Sequence, residues 1–143
     1  MAYVSYVESL EPGTIVGSTY ANAGALLDPL KSRQYEIGVK TEQDGWSATA
    51  AAFRIEKAAQ YTNASNELVQ DGESLFQGIE LGASTTLGNW FLGGTAMALD
   101  TEYKKGVANI GQRVAGAPRF IAAAQLGYNV SQLPGLQLYI DAK

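Results

Sequence analysis

The sequence predicts an all-β protein: an antiparallel up-and-down meander of about seven strands, forming part of a larger transmembrane β-barrel. Three observations carry this expectation. Apolar and polar residues alternate with a period of two over stretches of about 9–12 residues, the length that a tilted membrane-spanning strand requires. The connections between these stretches run long, short, long, short, long, short, so all long loops fall at one end of the sheet. Charged residues also occupy mid-strand positions. Glu36, Lys40, Arg54, Glu56 and Glu80 are assigned to the polar face, which a wet lumen solvates and a dry sandwich core does not.

The totals narrow the class further. The chain has 143 residues, a net charge of −4 and 16 glycines, with much of its apolar content in alanine. Such side chains suit a sheet that covers a surface better than a thick interior. The acidic balance offers no basic stripe for a nucleic-acid partner, and none is expected. With neither cysteine nor histidine, disulfide scaffolds, thiolate metal sites and Ser-His or Cys-His catalysis are excluded. No apolar run reaches the length of a transmembrane helix, a requirement that a β-barrel escapes. Residues 2–7 already read as a strand rather than a signal peptide, and residues 136–142 end within an alternating run. Both termini therefore read as cut, and the expectation is a piece of a larger structure.

Taken in order, the first strand is Ala2 to Leu10, ended by Glu11-Pro12-Gly13 and followed by a Gly/Ala/Ser/Thr-rich loop to Lys31. The stretch Leu30 to Lys57 is a hairpin. Tyr35, Ile37 and Val39 point one way and Gln34, Glu36, Gly38 and Lys40 the other. Gln43-Asp44-Gly45 supplies the turn, and the return strand sets Ala51, Phe53 and Ile55 against Ala52, Arg54 and Glu56. A second long loop is expected from Ala58 to Glu73. Strand four, Ser74 to Ser84, sets Gln77, Ile79, Leu81 and Ala83 against Phe76, Gly78, Glu80 and Gly82. Leu87-Gly88-Asn89 turns into strand five, Trp90 to Thr101, and a third long segment spans Glu102 to Ala117. Strand six, Pro118 to Tyr128, places Phe120, Ala122, Ala124, Leu126 and Tyr128 on one face. A turn near Gln132-Leu133-Pro134-Gly135 leads to strand seven, where Leu136, Leu138 and Ile140 oppose Gln137, Tyr139 and Asp141.

Aromatic residues gather near strand ends, with Trp46, Trp90 and Tyr128 beside short turns and Tyr103 towards a long loop, as interfacial girdles require. Strands three and five are the uneven ones. Trp46, Ala48 and Ala50 fall out of phase with Phe53 and Ile55, which calls for a bulge or the opposite phase. Two other architectures share parts of the pattern: a small complete barrel of about eight strands, and a soluble β-sandwich or lipocalin-like barrel. Seven strands are too few to close a wide barrel, so free edges are expected at Ala2–Leu10 and Leu136–Ala142.

The residues also carry a family resemblance. PLKSRQYEIGVK resembles a barrel segment of TonB-dependent siderophore receptors, and AAAFRIEK is similar to the strand that follows it there. FQGIEL (Phe76 to Leu81), GAPRF (Gly116 to Phe120) and LPGLQL are similar to later strands in the same order. The resemblance implies a twenty-two-stranded barrel in the bacterial outer membrane, occluded by an N-terminal plug on which TonB acts. At about 20 residues per strand such a barrel needs roughly 450 residues. Residues 1–143 would then be about a third of the barrel, with the plug, TonB box, signal peptide and terminal strand outside them.

On this resemblance the transported ligand is a ferric siderophore or a similar scarce nutrient. It is held by aromatic and basic side chains of the outer loops: Tyr61, Tyr103, Lys104, Lys105 and Arg113 are the candidates. The siderophore itself holds the iron, so no cofactor and no protein metal ligand are expected. Glu36 and Glu80 have the chemistry of a glycosidase carboxylate pair, but their strand context makes them lumen lining. With no nucleophile elbow or phosphate cradle either, no enzyme is expected.

Overall fold

The structure is a computed structural model that describes residues 1–106, 109–133 and 135–143. Its strands are β1 (Ala2–Glu11), β2 (Leu30–Gln43), β3 (Trp46–Thr62), β4 (Leu68–Leu87), β5 (Trp90–Lys105), β6 (Phe120–Asn129) and β7 (Gln137–Ala142). They form one antiparallel sheet in sequence order, and among the described residues no ladder joins β1 to β7. The sheet is therefore open, with the two free edges that the strand count predicts. Asp44-Gly45 closes the β2–β3 hairpin and Gly88-Asn89 the β4–β5 hairpin. Gly45 (φ 85°) and Gly88 (φ 59°) take the positive φ that such short loops demand. Pro134, expected in the β6–β7 turn, lies outside the described residues.

Register decides which side each residue serves, because directly opposed residues on antiparallel strands project to the same face. Ile37 lies opposite Val4 and Ala52, Ala52 opposite Ile79, Ile79 opposite Ala98, and Ala98 opposite Phe120. Leu92, Leu126 and Ile140 continue the same face. This is a continuous apolar surface standing in the open, with Ile37 61% and Ile140 69% exposed. The opposite face carries Tyr3, Ser5, Gln34, Glu36, Lys40, Thr49, Glu80, Thr95, Gln125 and Asp141, interleaved with glycines. Val16 and Leu75 are the buried apolar side chains among the described residues. The sheet is a wall, one layer thick.

Three expectations need correction. Strand three has the opposite phase: its register with β2 and β4 runs unbroken from Trp46 to Glu56, so Trp46, Ala48, Ala50 and Ala52 serve the apolar face. Phe53 and Ile55 share the inner face with Glu36, and Arg54 and Glu56 stand on the outer face in line with Tyr35 and Arg33. Small alanines cover the apolar face here, while Phe53 lies over Gly78, where a Cβ would come within 2.9 Å of its ring. Bulk at Phe53 and charge at Arg54 pointed the wrong way.

The second long loop is mostly strand. β3 continues to Thr62 and β4 begins at Leu68, leaving a turn at 63–67 in which Asn63 Oδ1 accepts the Ser65 and Glu67 amides at 2.9 and 3.0 Å. Asn66 takes φ 58° there. Strand five likewise runs on to Lys105, so the third long segment is 106–119. The third correction follows, because Tyr61, Tyr103, Lys104 and Lys105 occupy strand ends rather than loops. The 20 residues of β4 reach about 65 Å, far more than an apolar band about 25 Å tall, so the β3–β4 hairpin projects well beyond it.

Adjacent alanines test the phase. With the protein reconstituted in lipid vesicles, Ala50→Arg, opposite Leu81 on the apolar face, is expected to cost about 2–4 kcal/mol in denaturant titration. Ala51→Arg, opposite Glu80, is expected to cost much less. The reverse order would restore the phase with Phe53 and Ile55 outward.

Candidate functional site

The apolar face is bounded by aromatic pairs. At the short-turn end Trp90 and Tyr128 pack with ring centroids 4.6 Å apart, and Trp46 lies on the same face. Towards the long-loop end Tyr6 and Tyr35 pack at 5.1 Å. Arg54 lies opposite Tyr35, so the strand between Trp46 and the upper pair covers about 27 Å, or about 20 Å of height at a typical tilt. That is close to the apolar thickness of an outer-membrane barrel.

The inner face is wet chemistry. Tyr3 OH donates to Glu36 Oε1 at 2.6 Å, and Gln34 Nε2 donates to Glu36 Oε2 at 3.2 Å. Lys40 Nζ lies 6.0 Å from the centre of the Tyr3 ring. Gly38 makes the arrangement possible, because a Cβ there would meet the ring at 2.6 Å. Glu80 projects from the same face, exposed, opposite Ala51 and Met97. Among the described residues no group of three His, Cys, Asp or Glu side chains is placed to hold a metal.

At the long-loop end, the β1–β2 loop (12–29) is fastened to the β3–β4 hairpin. Asn22 Nδ2 donates to the Leu68 carbonyl and Asn22 Oδ1 accepts the Leu68 amide, both at 3.0 Å. Asn66 Nδ2 donates to the Thr19 carbonyl at 3.0 Å, and Gln70 Nε2 to the Asp28 carbonyl at 2.7 Å. Residues 109–119 are held instead to β5. There Arg113 reaches Asp100 Oδ1 at 3.1 Å and the Leu99 and Ala117 carbonyls at 3.4 Å, while Thr101 Oγ1 accepts the Val114 amide.

The five candidate residues do not form one cluster. Tyr61, near the hairpin tip, is half-buried, and its ring edge sits above Gly72. A hydrogen bond with Asp71 raises its phenol pKa, with burial and the Asp71 charge acting in the same sense. Tyr103, opposite Ser74, exchanges backbone hydrogen bonds with Gln112 and Gly111 at 2.9 Å. Lys104 pairs with Glu102 at 2.6 Å and Lys105 with Glu73 at 2.8 Å, the latter pair raising the Lys105 pKa. Lys105 shares the outer face with Glu73, away from the lumen. The sequence reading missed the asparagine clamp, whose only trace is amides in a loop. It also missed a charged group on the outer face, because the phase of strand three hid it.

An apolar outer face between aromatic girdles, a polar inner face and loops massed at one end define the wall of a membrane β-barrel. The comparisons make this specific: the family described as TonB dependent receptor-like, beta-barrel matches residues 1–141, and the chain belongs to it. Barrels of this family stand in the bacterial outer membrane. The ferrioxamine B receptor of Salmonella typhimurium is 32% identical over 144 residues, covering 95% of this chain and 20% of that protein. Among solved structures, BauA, the ferric preacinetobactin receptor of Acinetobacter baumannii, superposes with a TM-score of 0.74 at 30% identity, covering 88% of this chain and 20% of its own. The siderophore receptor PiuA of the same organism reaches 0.71 at 23% identity, covering 92% and 22%, and supports the fold. The chain thus spans about a fifth of the length of these relatives.

Two outcomes follow from this geometry. Since Asp71 favours the neutral phenol, Tyr61 is expected to ionise above the usual range in an ultraviolet titration, and Asp71→Asn to bring it down. A raised acid stabilises the fold below the ordinary phenol pKa and loses that contribution as pH rises through the shifted one. Separately, Asn22→Ala removes both bonds to Leu68. It is expected to raise the rate of protease cleavage within 12–29 several-fold, with the barrel intact on a gel; an unchanged rate would show that the clamp does not hold the loop.

Proposed function

We propose that this chain forms part of the wall and outer vestibule of a TonB-dependent receptor that takes up ferric siderophores. The observation that supports this best is the match along nearly its whole length to the ferrioxamine B receptor, together with the superposition on the preacinetobactin receptor. Residues 1–143 are read as a partial barrel domain, with the plug, TonB box, signal peptide and terminal strand lying outside them. The inner face, with Glu36, Gln34, Lys40 and Glu80, lines the passage and meets the plug on which TonB acts. The chain carries no catalytic role and no cofactor in this reading, and iron stays within the siderophore.

Of the ligand candidates Tyr61, Tyr103, Lys104, Lys105 and Arg113, the two tyrosines are favoured. Both stand on the inner-face side of projecting strand ends, while each cation is engaged by a carboxylate. A flat ring offers apolar area to a chelate at small entropic cost.

Deleting the gene is expected to abolish growth on ferrioxamine B or a ferric catecholate as sole iron source, and an uncoupler to stop labelled-iron uptake by the intact strain. Tyr61→Ala with Tyr103→Ala is expected to weaken binding about tenfold. Unimpaired uptake in the deletion strain would end the receptor reading. Unimpaired binding in the tyrosine variant would end only the site assignment.

A further inference from the structure

The corrected phase of β3 turns one further residue toward the lumen. Lys57 follows Phe53 and Ile55 at the period of two, so it faces inward with them. It lies opposite Ser74, and Ser74 lies opposite Tyr103, so all three occupy one row of the inner face. Adjacent strands are about 4.8 Å apart, which sets the Lys57 and Tyr103 backbones about 10 Å from each other. Tyr61 stands further out on the strand of Lys57, about 13 Å along it, with its ring edge above Gly72. The next inner row towards the membrane is apolar, with Ile55 opposite Phe76. Ser74, small and set between the two long side chains, is buried.

Lys57 also differs from the other cations near this end. Lys31, Arg54, Lys104, Lys105 and Arg113 each meet a carboxylate oxygen within 3.1 Å. Lys57 is exposed and makes no ion pair among the described residues. Lys40, which shares the inner face, is set over the Tyr3 ring instead.

We propose that Lys57 is a specificity-determining contact of the ligand site, selecting ferric chelates that carry net negative charge, as tris-catecholates do. Lys57 takes this role only within the receptor reading, whose charge class it fixes. Each catecholate arm is a dianion, so three of them outweigh the ferric ion and leave the chelate anionic. Hydroxamate arms are monoanions, and three of them leave it neutral. A lysine without a counterion donates charge-assisted hydrogen bonds to catecholate oxygens, and no existing pair has to break first. The paired cations present an incoming anion with a carboxylate of like sign beside each positive charge. Tyr61 and Tyr103 stand on either side of Lys57 and offer faces on which the aromatic arms of such a chelate pack.

The test uses the full-length receptor purified from the outer membrane, with two probes of similar size loaded with labelled iron. One is a ferric tris-catecholate and the other a neutral ferric tris-hydroxamate, and equilibrium binding is the readout. Wild type is expected to bind the tris-catecholate at least about tenfold more tightly, the worth of one charge-assisted hydrogen bond. Lys57→Gln is expected to remove that margin by weakening the tris-catecholate alone, its unchanged affinity for the tris-hydroxamate showing that the variant is folded. Lys57→Glu is expected to weaken the tris-catecholate further, and Lys57→Arg to retain it. High salt is expected to shrink the margin in wild type. Lys31→Gln, which removes a charge from the outer face, is expected to bind both probes as wild type. Equal weakening of both probes by Lys57→Gln, or no weakening, would overturn the charge role of Lys57 and leave the receptor reading in place. So would tighter binding of the tris-hydroxamate by wild type. Failure of wild type to bind either probe would remove the receptor reading and the proposal together.

Discussion

Backbone hydrogen bonding in a medium without water governs this structure. A strand in lipid has no solvent to satisfy its N–H and C=O groups, so each must pair with a neighbour, and the ladder must run unbroken through the apolar layer. The observed ladder obeys this. β2 to β3 is continuous from Gln43↔Trp46 to Arg33↔Glu56, and the irregularities lie outside the band, between Ala59 and Tyr61 and between Glu73 and Ser74. Once the ladder is continuous the faces follow, since a slip of one residue would exchange lipid and lumen sides along a whole strand. Val39, Ile37 and Tyr35 can face lipid only if Ala50, Ala52 and Arg54 do so too. Register, rather than the character of any single side chain, makes Arg54 an outer residue.

A one-layer wall also explains the thin side chains. With no interior to fill, glycine and alanine cost little packing, and they leave room for rings to lie flat along the inner surface. Tyr3 over Gly38, Phe53 over Gly78 and Tyr139 over Gly127 repeat this device at three places. At Gly78 the fit is tight on two sides, because an added Cβ would also come within 2.3 Å of the Ala98 carbonyl. The rings cover backbone that glycine would leave bare and hold neighbouring strands in register. High Gly and Ala content, which reads as a poor core, is the composition that a lumen wall needs.

Much of this was legible in the sequence, and the exceptions have physical causes. Alternation in β2, β4, β6 and β7 gave the correct faces because Ile37, Leu81, Leu126 and Ile140 are large and apolar. β3 was misread because its lipid face is alanine and its inner face holds Phe53 and Ile55, so size and location part company. The Ala58–Glu73 stretch looked like a loop because Asn63, Asn66 and Asp71-Gly72 are turn formers, yet all of them sit in or beside a tight turn or a bulge that strands tolerate. Lys104 and Lys105 were read as loop cations, whereas they end β5. The Lys105 pairing with Glu73 depends on a bulge that no sequence pattern marks.

The projecting hairpin follows from the same constraint. Beyond the headgroups a strand is surrounded by water, so its ladder no longer has to be complete, and bulges and exposed edges carry a smaller penalty. β3 and β4 use this freedom to carry a rigid ribbon outward, and the β1–β2 loop gains order by leaning on it through Asn22, Asn66 and Gln70. Val16, 3% exposed, is buried within that loop, so the apolar packing absent from the membrane wall reappears outside it. A vestibule built this way has side chains placed by packing and amide hydrogen bonds rather than by a flexible tether. Under the proposed function such fixed geometry suits a rigid chelate, because less disorder has to be removed when the ligand arrives.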